Sequence, residues 1–162
     1  LTELEAINIM LSTIGEAPIN SLTADQSTVD VGIAQTVLRE ISIRVQEEGW
    51  QFNTEINWEL NVVTSTSELQ IPLNHTFKFD KSLLVNMVLL LDFTELPQAA
   101  RHYINIRAAR VFQQRVVGSE LLGSFTARDE MLARASLKKL DSNNADHNIL
   151  SGSWSVARIL TR

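Results

Sequence analysis

Two carboxylate pairs offer the most direct route to acid–base chemistry in this sequence, Glu47-Glu48 and Asp129-Glu130. General acid–base work needs two carboxyls whose surroundings drive their proton affinities apart. Glu47-Glu48 stands at a helix end before Gly49, and Asp129-Glu130 falls in the expected first turn of the last helix, where the dipole favours negative charge. Both pairs therefore read as solvated or capping charges. The three histidines, His75, His102 and His147, lie in separate segments, and no His-Glu-x-x-His spacing links them to a metal. His102, between Arg101 and Tyr103, reads as a structural or surface histidine. Absence of cysteine removes thiolate nucleophiles, disulfides and Cys-ligated zinc or iron–sulfur sites. Gly118 and Gly123 have the glycine spacing of a phosphate loop, but Ser124-Phe125 follows in place of its Lys-Ser/Thr, while Gly152-Ser153-Trp154 lacks the second glycine of a nucleophile elbow. No oxygen-ligand calcium loop is present. The residues thus point to no catalytic, cofactor or metal site.

The rest of the composition narrows the class. The chain has 162 residues, 44% of them apolar and 20% charged, with a net charge of −5. That suffices for one domain with a core of its own. The acidic balance argues against a sequence-reading nucleic-acid binder. No run reaches the about 20 apolar residues of a membrane helix, and no secretory signal is visible. Because the chain opens on Leu1, its true N-terminus is expected upstream.

Helical periodicity opens the chain. Thr2 with Glu5 forms a capping box, and Leu4, Ile7, Leu11 and Ile14 make one helical face ended by Gly15. A loop over Glu16 to Gln26 follows. Ser27 with Asp30 predicts a second cap, and Ala34, Leu38, Ile41 and Val45 a second stripe, closed by Gly49. The period then changes to two. Ile56, Trp58, Leu60 and Val62 predict a half-buried strand, and short strands are expected around Leu69–Ile71 and Phe77–Phe79. Leu83 to Leu91 is apolar on both faces, as in a covered central strand or one meeting another subunit.

Pro97 suits the first turn of a third helix running to about Val117, with Ala100, Ile104, Ala108 and Val111 as its main stripe. Ile106 and Val117 point elsewhere, and Arg101, Arg107, Arg110 and Arg115 are scattered round it, a pattern that hints at subunit packing. A fourth helix starts at Ser119 or at Thr126 and ends near Leu140, with Leu121, Phe125, Leu132 and Ala135 facing the core. Beyond it Asp141 to Ser153 is polar, yet Ile149, Leu150, Trp154, Val156, Ile159 and Leu160 follow or are embedded in it. Such a tail is either an arm that orders on a partner or one folded back on its own domain. Trp50 with Phe52 reads as a core anchor where helix meets sheet, and Trp154 as an interface anchor.

The order of elements predicts an α+β fold: a four-helix bundle with a small antiparallel β-sheet or barrel inserted between helices two and three, and an extended C-terminal arm. The corresponding divisions are 1–52 and 95–140 for the helical domain, 53–94 for the β insertion and 141–162 for the arm.

Four landmarks carry a family resemblance. They are Ala6-Ile7-Asn8 with Ile14-Gly15-Glu16-Ala17-Pro18-Ile19-Asn20-Ser21-Leu22; Glu48-Gly49-Trp50-Gln51-Phe52-Asn53; Leu96-Pro97 with Ala100-Arg101-His102-Tyr103-Ile104 and Ala108-Ala109-Arg110-Val111-Phe112-Gln113; and Gly152 to Arg162. In this order they resemble the tail tubular protein A family of short-tailed bacteriophages (podoviruses). Between Leu69 and Lys81 the sequence is shorter than the family pattern, as if a hairpin were missing. The resemblance implies a structural virion protein without an active site. It implies a head-to-tail adaptor of which twelve copies form a ring, joining the portal to the nozzle (tubular protein B) in the virion tail after assembly in the bacterial cytoplasm. The ring would continue the DNA ejection channel and let genomic DNA pass without specific binding, and no membrane is involved. The portal-docking candidates are Ile149, Leu150, Trp154, Val156, Ile159 and Leu160. The subunit-interface candidates are Ile106, Arg107, Arg110, Val117, Val85, Met87 and Leu89. A small oligomerising helical binding or regulatory module is the alternative reading.

Overall fold

Thr2 opens the first helix as its residue types require. Its hydroxyl accepts the Glu5 N–H at 3.2 Å, and the Glu5 carboxylate accepts the Thr2 N–H at 2.8 Å. In the computed structural model, which describes residues 1–22, 28–60 and 83–144, this helix is α1 (Glu3–Ser12). It is followed by α2 (Val29–Gln46), a 3-10 turn (Gln51–Asn53), β1 (Thr54–Leu60), β2 (Leu83–Val88), α3 (Gln98–Val116) and α4 (Glu120–Asn144). Four helices with a small antiparallel sheet between α2 and α3 make the α+β architecture anticipated above.

The core lies among the helices. α1 contributes Ala6, Ile7, Met10 and Leu11, so the buried face is turned from the expected stripe and leaves Leu4 and Ile14 only partly covered. From α2 come all four predicted residues, Ala34, Leu38, Ile41 and Val45, together with Val31 and Val37. α3 supplies Ala100, Tyr103, Ile104, Ala108 and Phe112. The cap of α2 is Thr28, one residue after the predicted Ser27, which lies outside the described residues; its hydroxyl accepts the Val31 N–H at 3.4 Å.

Polar contacts set the helix directions. Gln98 and Arg101 of α3 hold Leu1, and Gln113 near the other end of α3 reaches the Thr13 carbonyl, so α1 and α3 run parallel. Glu40 meets Arg115 at 2.9 Å and Glu48 meets Arg107 at 3.8 Å, so α2 runs the opposite way. The Arg115 hydrogen bond, with Arg44 beside it at 2.6 Å, holds the Glu40 carboxyl below its ordinary value.

α4 decides between two expected starts and departs from expectation in two other ways. It starts at Glu120, in line with the Ser119 alternative and not the Thr126 one, so Asp129-Glu130 sits well inside the helix rather than in its first turn. Among its described side chains Ala133 and Leu137 are buried, whereas Leu132 and Ala135 face outward; the side chains of Leu121 and Phe125, also expected in the core, lie outside the described ones. It also runs four residues past the predicted end, to Asn144, and the Asp141 carboxylate accepts the Gln51 N–H at 2.8 Å. The polar texture of 141–144 therefore belongs to a helix end anchored on the rest of the domain.

The described sheet is a two-stranded ribbon. Thr54 pairs with Val88, Glu55 with Met87, Trp58 with Val85 and Glu59 with Leu84, with a bulge between Glu55 and Trp58. Asn57 takes a left-handed φ of 59° inside the bulge, and its N–H donates to the Asn86 side chain at 3.0 Å. Asparagine accepts that conformation more readily than most side chains. One extra residue shifts the alternation, so Glu55 and Trp58 share a face. The expected half-buried pattern is lost, and Ile56 and Trp58 are both exposed. The strands expected at Leu69–Ile71 and Phe77–Phe79, the residues that would decide for a barrel, and the segment shorter than the family pattern all lie outside the described residues.

The ribbon joins the bundle through two buried amides. Gly49, at φ 70°, turns the chain after α2. Trp50 is then buried with its indole N–H donating to the Val45 carbonyl at 2.7 Å. Asn53 accepts the Trp50 N–H through Oδ1 and donates through Nδ2 to the carbonyls of Gln46 and Leu89. Gln46 donates to the Leu91 carbonyl at 3.1 Å and accepts the Leu91 N–H at 2.8 Å.

Replacing Asn53 by Ala removes three hydrogen bonds to backbone groups, of which the Gln46 carbonyl alone keeps another partner, the Gly49 N–H, and is expected to cost about 3 kcal/mol, read in a thermal melt as a fall of about 6–12 °C; an unchanged Tm would remove Asn53 from this role. Because Glu40 has a lowered folded pKa, its contribution is present above the unfolded value and lost as pH falls through the folded one. The Tm difference between wild type and Glu40→Gln should therefore be visible at neutral pH and vanish in acid below the ordinary carboxylate range. A difference that grows in acid would contradict the assignment.

Candidate interface surfaces

Charged residues on the helices are largely committed inside the chain. Glu130 of α4 pairs with Arg110 at 2.9 Å and Arg107 at 3.8 Å, and Glu48 pairs with Arg107 at 3.8 Å and Arg134 at 3.0 Å. Arg107 thus bridges the end of α2 to α4 across α3, and its guanidinium also donates to the Tyr103 hydroxyl at 3.0 Å. Both carboxylate pairs singled out above contribute one member to this network. Arg107 and Arg110, predicted for a subunit contact, are partly buried and hold the bundle together.

Neither shifted acid resembles a general acid. Glu5 is lowered chiefly by the Thr2 N–H and Glu40 by Arg115, whereas a proton donor at neutral pH needs its affinity raised. Among the described residues no three His, Asp or Glu side chains converge as metal ligands. His102 is exposed, and His75 and His147 lie outside the described residues.

Apolar exposure is what distinguishes this surface. The ribbon presents Leu84 and Val88 on one face, with Leu84 69% exposed, and Trp58, 50% exposed, on the other beside Val85 and Met87. The predicted Val85 and Met87 are only partly buried, and their neighbours Leu84 and Val88 are barer. Leu89 is exposed, while its backbone N–H and carbonyl both bond Asn53. Leu83 to Leu91 therefore forms the edge of a ribbon among the described residues, with apolar side chains on both faces. Isolated apolar residues on a surface are ordinary, but contiguous ones mark contact sites.

A second apolar surface lies on the helices. Ile106, partly buried, lines an open groove of about 460 Å³ with Ile9 of α1, Ala109 of α3 and Leu132 and Ala133 of α4. His102 and Asp129 stand at the same groove. Val117 caps the end of α3 and is exposed together with Val116. The structure thus distributes Ile106, Val117 and the ribbon residues over three separate places. The arm candidates Ile149, Leu150, Trp154, Val156, Ile159 and Leu160 lie outside the described residues.

Sequence reasoning missed Ile9 and Met131, and within the run Leu83 to Leu91, which it read as a possible subunit contact, it did not single out Leu84 and Val88. For the ribbon a signal existed, since a run apolar on both faces leaves one face over when only two strands pair. For α4 the signal was the adjacent pair Met131-Leu132, which no single helical face can bury together with Ala133 and Leu137.

Comparison with known families gives a match that covers the fold just described. A family model described as tail tubular protein matches residues 4–75 and 61–147. Those two overlapping segments take in all four helices and both strands. Comparison with curated proteins produced no match.

Proposed function

The chain belongs to the tail tubular protein family, and from that premise we propose that it is the subunit of a ring joining the phage portal to the tail nozzle and continuing the DNA ejection channel. Membership makes it a structural protein of a phage tail that works within an oligomeric assembly of the virion. The ring, its twelve copies, its portal and nozzle contacts and the passage of DNA are the further reading.

One observation carries it. Bare apolar residues stand on the ribbon, at the end of α3 and on α4, on separate elements rather than in one patch. A ring needs contacts of this kind, in which one surface meets a different surface on the neighbour. Net charge supports the passage of DNA, since a subunit of −5 offers little adhesion to phosphates. No helix among the described residues is long and apolar enough to cross a membrane.

In this reading the apolar residues of 145–162 dock on the portal. Many copies would let weak single contacts add up. The division at 141 is moved, because Asp141 belongs to α4 and bonds Gln51. Candidate ring contacts are Ile106, Val117, Val85, Met87 and Leu89, with Arg107 and Arg110 supporting the bundle behind them.

Electron microscopy of the chain mixed with the portal of the same genome should show a twelve-fold ring stacked below it; a mixture that stays as free monomers under several salt conditions would sink the adaptor reading. Removal of residues 145–162 should leave Tm within about 3 °C of the parent, since the deleted segment lies past the helix that closes the core, and abolish portal attachment. Normal attachment by that truncation would reassign the arm. Trp154→Ala should weaken docking with Tm unmoved, and a large fall in Tm would place Trp154 in the domain's own core.

A further inference from the structure

We propose that the outward face of α4 on one copy docks against the acidic, apolar ribbon of a second copy of this chain. The inference rests on the ring reading above and names the two surfaces that meet.

α4 is apolar on two opposite sides. Ala133 and Leu137 are buried in the bundle, while Met131, 72% exposed, and Ala135 point away from it and Leu132 stands between the two sides, exposed at the rim of the groove it shares with Ile9 and Ile106. At 3.6 residues per turn, Arg128, Lys138 and Lys139 fall on the same outward face, and all three are exposed. None of them has an ion-pair partner among the described residues, whereas Arg107, Arg110, Arg115 and Arg134 are each paired. Asp129, beside Leu132, is the one carboxylate at the edge of that stripe.

The ribbon carries the opposite charge. Glu55 stands beside Trp58 on one face and Glu59 beside Leu84 and Val88 on the other, and with Asp92 and Glu95 on the linker to α3 all four carboxylates are exposed. Residues 47–98 hold eight Asp and Glu and two Lys, a net of −6, although the whole chain is only −5. Residues 99–144 hold eight Lys and Arg and four Asp and Glu, a net of +4.

This polarity selects the occupant. A contact of either surface with its own twin would set like charges against each other, whereas each surface complements the other in both charge and apolarity. Meeting of two unlike patches is the heterologous contact that propagates around an axis. A nucleic-acid partner for α4 would find three cations but leave Met131 and Leu132 bare. A second copy covers both.

Because the chain contains no cysteine, Met131→Cys in one preparation can be paired with Leu84→Cys or Trp58→Cys in another without background. Mixed, assembled with the portal and oxidised, one of these pairs should give a disulfide-linked dimer, because it brings Cβ atoms within the about 4.5 Å that a disulfide spans; each variant alone should give none. Lys138→Glu with Lys139→Glu should cut assembly about ten-fold, and Glu55→Lys with Glu59→Lys in the same chain should restore most of it. The cysteine pairs alter no charge and decide the matter even where a charge variant fails to fold. Intact rings with neither cross-link nor rescue would overturn this interface and leave the ring standing. A chain that remains monomeric beside the portal would overturn both.

Discussion

Everything beyond the end of α2 hangs on two buried amides, Gln46 and Asn53. Between them they bond the chain where it leaves the bundle, at Trp50, and where it returns, at Leu89 and Leu91. A two-stranded ribbon is at best marginally stable by itself in water. Here its root is tied to the helical core by side chains that are 1% and 2% exposed, so the ribbon inherits its position from the bundle. The same ties fix the linker that delivers Leu96 to the core and Gln98 to the start of α3. Buried amides carry strict demands: every donor and acceptor must find its partner, which makes this junction specific as well as stable.

Charge is divided between two tasks. Inside the subunit, Glu48, Arg107, Glu130, Arg110 and Arg134 link α2, α3 and α4 in one partly buried network. Exposed ion pairs contribute little each, and a connected set with restricted side chains does more than its members apart. Outside, the acidic ribbon and the basic face of α4 are left without partners among the described residues. A structural protein of a tail tube works through contacts between copies, and a surface polarised in this way suits that work better than any concave site with a shifted titration would.

Most helices were legible because their signals are local. The Thr2–Glu5 box, the α2 stripe from Ala34 to Val45 and the glycines at 15, 49 and 118 act within a turn or two of the chain, and the backbone obeyed them. The Glu48-to-Asn53 landmark was equally visible, and the structure supplies its chemistry: a left-handed glycine, a buried indole and an amide that bonds three backbone groups. The face of α4 was misjudged because two rival apolar stripes, Leu132 with Ala135 and Ala133 with Leu137, share one helix. Only the helix packed beneath can choose between them.

By itself the sequence determined the order of helices and strands, the capping and turning residues, the family pattern and the lack of cysteine chemistry, since each depends on residues near one another in the chain. Tertiary structure decided the rest. It set which stripe of α4 is buried and how the bulge at Asn57 reorients Trp58. It drew Arg107 and Arg110 into ion pairs with Glu130, and Asp141 onto the Gln51 N–H. Each of those outcomes depends on groups distant in sequence, or on the extra residue that shifts a strand's register, and such pairings exist only once the chain has closed on itself.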